Sequence, residues 1–138
     1  MRLTTMRTAN PEVGTPAYMA PELFELDTEV VTHRADVYSL AVVIWVMLTG
    51  REPWKECHNV VALAYKVCMG VRPPLAGILS PQRCPHKLSR LITACWDRDP
   101  LRRPAAAEVL KELVLIKTQT TAAAATSGQL QQQPPPSS

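Results

Sequence analysis

The side chains best able to do chemistry on their own are four cysteines and three histidines, and their spacing decides what they can do. Cys57-His58 and Cys84-Pro85-His86 could each offer two ligands to zinc. Zinc sites usually take one ligand pair from a tight turn, however, and the sequence holds no C-x-x-C and no H-x-x-x-H. Cys57, Cys68, Cys84 and Cys95 are even in number, as a disulfide framework requires, but their density is well below that of a small secreted scaffold. Cys68 and Cys95 fall inside amphipathic helical patterns at positions that read as core. Buried free thiols in a reducing compartment are therefore the simpler expectation. A glycine cradle for phosphate is absent, since the five glycines are isolated and no Gly-x-Gly occurs.

The elements that must position these side chains read as helices joined by proline-marked loops, with no convincing strand. Residues 1–19 have no sustained period and contain Pro11, Gly14 and Pro16, which suggests an extended loop. Pro21 to Glu25 reads as a short helical turn with proline at a tolerated early position. From about Arg34 to Thr49 the pattern is strongly helical, with Thr32 or Asp36 favouring its start and Gly50 its stop. From Leu40 onward this helix is apolar on every face, so it should be the central post of the domain, surrounded by other protein. A helix from about Asn59 to Met69 ends at Gly70. Lys87 to Asp97 carries the stripe Leu88, Leu91, Ile92, Cys95 and Trp96. A last helix opens after Arg102-Arg103-Pro104, with Val109, Leu110, Leu113 and Val114 on one face.

Composition bounds the class. Hydrophobic residues make up 46% of the 138, enough for a packed core. A net charge of +3 is too small to argue for nucleic acid or a polybasic membrane patch. The apolar run 40–48 falls well short of the ~20 residues a membrane helix needs, so no membrane span is expected. Beyond Lys117 the chain carries no charge and becomes an Ala/Gln/Pro/Ser segment. Such a segment cannot bury enough apolar area to offset its ordering entropy, so residues 117–138 are expected to be a disordered tail. Arg2 and Arg7 among threonines are weakly like a transit peptide, but they lack an apolar region for secretion.

Three blocks resemble, in order, the C-terminal lobe of eukaryotic protein kinases. Gly14-Thr15-Pro16-Ala17-Tyr18-Met19-Ala20-Pro21-Glu22 is similar to the end of the activation segment, closing in A-P-E. Asp36-Val37-Tyr38-Ser39-Leu40-Ala41 and the apolar helix that follows resemble the family's central helix F. Cys95-Trp96-Asp97-Arg98-Asp99-Pro100 with Arg103-Pro104 resembles the boundary between its last two large helices. The resemblance covers roughly residues 1–116. It implies a mainly α fold: the helical C-lobe of a protein-kinase-like domain, without the N-lobe and the catalytic loop. The Thr15-Pro16-Tyr18 block looks like Ser/Thr specificity and Cys95-Trp96 like the tyrosine-kinase side, a combination that resembles the tyrosine-kinase-like group of serine/threonine kinases.

The resemblance implies roles residue by residue. Glu22 and Arg103 would form a buried ion pair tying the activation segment to the base of the lobe, and breaking such a pair costs on the order of 3–5 kcal/mol. Asp36 would accept N–H bonds from the catalytic loop, and Val43 and Met47 would support the hydrophobic columns beneath the ATP site. Thr15, with Pro16 and Tyr18, would position the substrate. Thr4, Thr5 and Thr8 occupy the stretch where activation loops are phosphorylated, and a phosphate there would pair with a basic residue and order the loop. Three positions depart from the family pattern. Ala41 replaces a usual glycine, and Val46 stands where many relatives carry an acid that binds basic substrates. Ala105 stands where Ser or Thr often caps the last helix, a loss of roughly 0.5–2 kcal/mol.

Phosphoryl transfer needs a phosphate-cradling loop, a lysine on the phosphates, Mg²⁺ ligands and a base. The Gly-rich loop, V-A-I-K, H-R-D and D-F-G that supply them are all missing from this sequence. ATP and Mg²⁺ are thus implied for a complete kinase, and no catalytic, ATP-binding or metal residue is assigned here. The chain is expected to be inactive alone and to expose an apolar patch that the missing kinase half would cover. The expected partners are that half and a protein substrate, in the cytoplasm. The other reading is a truncated, non-catalytic interaction module.

Overall fold

In a computed structural model of the chain, which describes residues 16–25 and 32–131, the residues after His33 enter helix α1, Arg34–Thr49. The Thr32 hydroxyl accepts the Arg34 N–H at 3.3 Å. Gly50 closes the helix at φ 66°, a left-handed conformation that costs glycine little, and its N–H donates to the Val46 carbonyl at 2.8 Å. Ala35, Val37, Tyr38, Ala41, Val42 and Trp45 are buried. The opposite face is not: Leu40, Val43 and Met47 are 38%, 40% and 73% exposed. The post is therefore covered on one side only.

Helix α2, Val60–Cys68, begins where Asn59 Oδ1 accepts the Ala62 N–H at 2.8 Å. It ends in a Schellman motif: Gly70 sits at φ 90°, Val71 N–H reaches the Lys66 carbonyl at 3.0 Å, and Gly70 N–H reaches Val67 at 3.1 Å. Leu63 and Val67, one turn apart, are its buried stripe. Helix α3, His86–Cys95, buries Leu91, Ile92 and Cys95, and Trp96 just beyond its end is buried as well. It packs between α1 and the final helix, α4, Ala106–Gln131. Short 3-10 turns at Pro16–Tyr18, Pro21–Leu23 and Pro100–Arg102 complete the described elements, among which there is no strand. Residues 16–18, expected as extended loop, are thus a tight turn, while 1–15 lie outside the described residues.

The expectation of a disordered tail from residue 117 is corrected by α4, which runs on to Gln131. The entropy argument assumed that order must come from burial. Here it comes mainly from local bonding, because residues 117–128 are exposed. Among the described residues, a Lys87 Nζ to Gln119 Oε1 bond at 2.8 Å is the one side-chain hydrogen bond from another element that reaches them. Alanine has the highest helix propensity, and a helix already nucleated at Ala106 adds further residues at little cost. The hydroxyls of Thr118, Thr120, Thr121, Thr126 and Ser127 each donate to the carbonyl four residues back, at 2.9–3.0 Å. The Pro-Pro-Pro run lies outside the described residues. The buried face of α4 also differs from expectation. Val109 and Ile116 are buried and Leu113 is half-buried, whereas Leu110 and Val114 are 64% and 54% exposed.

Candidate functional site

The centre of charge in the fold is Arg103, a guanidinium only 1% exposed. It follows the Pro100–Arg102 turn, which Asp99 starts by accepting the Leu101 N–H at 2.9 Å. Its fork meets Glu22 in a bidentate pair, Nη1 to Oε1 at 2.7 Å and Nη2 to Oε2 at 2.8 Å. The remaining donors go to main-chain oxygens: Nε to Asp97 at 2.7 Å, Nη1 to Arg34 at 2.9 Å and Nη2 to Arg98 at 3.4 Å. Every donor direction of the guanidinium thus has an acceptor, which a buried cation needs. Arg34 reciprocates, its Nη1 donating to the Arg103 carbonyl.

Tyr38 lies beneath this pair. Two guanidinium carbons sit over its ring, Arg72 at 5.0 Å and Arg103 at 5.2 Å from the centroid. That is within the range in which a cation is attracted to the ring face. Burial pushes the Tyr38 phenol up to about 12, against a pull downward from the two arginines. Among the described residues no group reaches its Oη within hydrogen-bond distance.

The segment carrying Glu22 is held along its length. Met19 N–H closes the first turn on the Pro16 carbonyl at 3.1 Å, and Phe24 N–H closes the second on Pro21 at 3.0 Å. Ser39 of α1 donates to the Tyr18 carbonyl at 2.7 Å, and Cys68 Sγ of α2 approaches the Pro21 carbonyl at 3.8 Å. Pro16, Ala17, Ala20 and Pro21 are buried, and Tyr18 is half-buried.

The other candidate residues scatter. Thr4, Thr5, Thr8 and Thr15 lie outside the described residues. Asp36 is exposed in the first turn of α1, while Val43 and Met47 share that helix's exposed face. The structure therefore brings Glu22 and Arg103 together beside Pro16 and Tyr18, and leaves Asp36, Val43 and Met47 at the surface. Sequence reasoning missed Arg34, Ser39 and Arg72. Their bonds go to main-chain carbonyls, which carry no residue-type signal at a distance.

The sulfur chemistry is quiet. Cys57, Cys84 and Cys95 are buried, Cys68 is half-buried, and all four thiols are free. Burial pushes the Cys95 thiol up to about 11, which suppresses the nucleophilic thiolate. Among the described residues no three His, Cys, Asp or Glu side chains converge as metal ligands, and no helix is long and apolar enough to cross a membrane.

Comparison with known proteins agrees with this architecture. Residues 2–115 match the protein kinase domain family. The chain is 38% identical to mouse mitogen-activated protein kinase kinase kinase 10 over 105 residues, covering 75% of this chain and 10% of that protein. It is 37% identical to mitogen-activated protein kinase kinase kinase 7 of Drosophila melanogaster over 102 residues, 74% of this chain and 14% of the other. A serine/threonine-protein kinase of Arabidopsis thaliana is 38% identical over 102 residues, 74% of this chain and 17% of its own length. The chain belongs to the protein kinase family, and its helices are those of a C-lobe. It spans less than a fifth of the length of each of these relatives. The family uses ATP and Mg²⁺. Of the parts that hold them, the Gly-rich cradle, the lysine and the D-F-G and H-R-D residues do not occur in this sequence.

Proposed function

We propose that this chain is the substrate-positioning half of a serine/threonine protein kinase and is inactive alone. The observation that carries the reading is the enclosed Glu22–Arg103 pair, which fixes the Pro16–Leu23 turns against the base of the lobe. In this reading the acceptor peptide lies along Thr15, Pro16 and Tyr18, and Asp36 serves as an anchor for the catalytic loop. The exposed face of Leu40, Val43 and Met47 is where the upstream half of the domain packs. The name of the Arabidopsis relative, a serine/threonine-protein kinase, supports serine and threonine as acceptors. No step of phosphoryl transfer is assigned to this chain's own side chains. Phosphorylation at Thr4, Thr5 or Thr8 would order the activation segment.

The second reading, a non-catalytic interaction module, is favoured by one observation. Val61 and Tyr65 on α2 and Met69 at its C-terminal cap, spaced four apart, are 79%, 67% and 64% exposed. Thermal denaturation of the 138-residue chain with and without MgATP tests its inactivity. No shift in midpoint is expected, and a saturable rise would contradict the reading.

A further inference from the structure

We propose that Arg72 is a positioning residue for the Pro16–Phe24 segment, acting through α2 and Tyr38 rather than by touching the segment itself. Arg72 follows the Schellman turn and precedes Pro73-Pro74, and a residue before proline is held away from helical backbone. From there its guanidinium reaches back across the end of α2. Nη1 donates to the Val67 carbonyl at 2.9 Å and to Val71 at 2.7 Å, two oxygens at the α2 terminus. Nε donates to the Trp96 carbonyl, just beyond α3, at 2.8 Å. The same plane lies over the Tyr38 ring of α1. One side chain thus joins three helices.

The joint matters because of what α2 and Tyr38 touch. Helix α2 packs against both 3-10 turns of the segment, and Cys68 at its end faces the Pro21 carbonyl. Tyr38 also lies under Arg103, which holds Glu22. Arg72 therefore sets the seat of the segment from one side and stiffens its ion pair from the other. Lysine would not replace it. An ammonium on a flexible stem cannot supply a planar fork to three carbonyls and stack on a ring in the same pose.

That the segment positions substrate rests on the reading above, but the coupling from Arg72 does not, and its readout needs no kinase activity. Amide hydrogen exchange of the 138-residue chain, followed at Met19, Leu23 and Phe24, is the test. The variants are Arg72→Met and Arg72→Lys, with the α3 core substitution Ile92→Val as a control for general destabilisation. Both Arg72 variants are expected to speed exchange at those three amides by at least about tenfold relative to amides of α3 and α4, which Ile92→Val does not do. A change spread evenly over the chain, no change, or parental rates in Arg72→Lys would each overturn the proposal. If Arg72→Met does not fold, the charge-retaining Arg72→Lys decides alone. Failure of a kinase assay with normal exchange coupling would count against the functional reading and not against this one.

Discussion

Arg34 and Arg103 each donate a guanidinium N–H to the other's main-chain carbonyl. Two like charges are thereby held side by side at the start of α1, a placement tolerated because Glu22 meets Arg103 with both carboxylate oxygens. The pair is a closed unit: carboxylate, two guanidiniums and the carbonyls they share.

Breaking this unit from one side strands a buried charge. Glu22→Met is expected to destabilise the chain by about 3–5 kcal/mol in urea denaturation. Arg103→Met should cost at least as much, since the carbonyls of Asp97 and Arg34 also lose their donor. The double substitution should cost less than the sum of the two, because neither charge remains. Strict additivity would mean that the pair contributes nothing as a pair.

Tyr38→Phe separates the ring from its hydroxyl. The ring keeps both guanidiniums, and the buried oxygen that no described group reaches is removed. Leaving such a group unpaired costs about 1–3 kcal/mol, so the variant should melt at or above the parental temperature. A loss above about 1 kcal/mol would show that the hydroxyl is partnered after all.

The same phenol gives an alkaline dependence. Its folded value, about 12, is raised above the ordinary 10.0, so its contribution is complete below pH 10 and is lost as pH rises toward 12. Up to about 3 kcal/mol disappears over that window. The Cys95 thiol, raised from 9.0 to about 11, acts with the same sign at slightly lower pH. Stability measured from pH 8 to 12 should fall in the parent and fall less steeply in Tyr38→Phe. Parallel curves would contradict the assignment.

The α4 extension is stabilised locally and should be separable from the core. Ala124→Pro removes a helix bond in an exposed stretch, at a local cost of about 3 kcal/mol. Helical circular dichroism should drop while the melting midpoint stays put. A lowered midpoint would place these residues in the cooperative unit.

These contrasts show what spacing can and cannot carry. The limits of α1 were legible because Thr32 and Gly50 mark its ends. Glu22 and Arg103 were legible because each sits inside a recognisable motif, although 81 positions separate them. Arg72 was not, since its partners are carbonyls on two other elements and any residue type supplies those. Leu110 and Val114 were misplaced for a related reason. An apolar stripe of that width fits two faces of α4, and only packing on α3 selects Val109, Leu113 and Ile116. Residues 117–131 differ from the expected tail because alanine propensity and hydroxyl back-bonding supply order that burial does not.

The measurement closest to the central claim is a kinase assay on a chimera. It joins the upstream part of the kinase domain of mitogen-activated protein kinase kinase kinase 10 to residues 1–116 of this chain, and offers peptides with serine, threonine or tyrosine acceptors. MgATP-dependent phosphate incorporation into serine and threonine is predicted, falling at least tenfold in Arg103→Met, about what 1.4 kcal/mol of lost transition-state stabilisation gives. A chimera that folds and binds ATP but modifies only tyrosine, or nothing, would contradict the account.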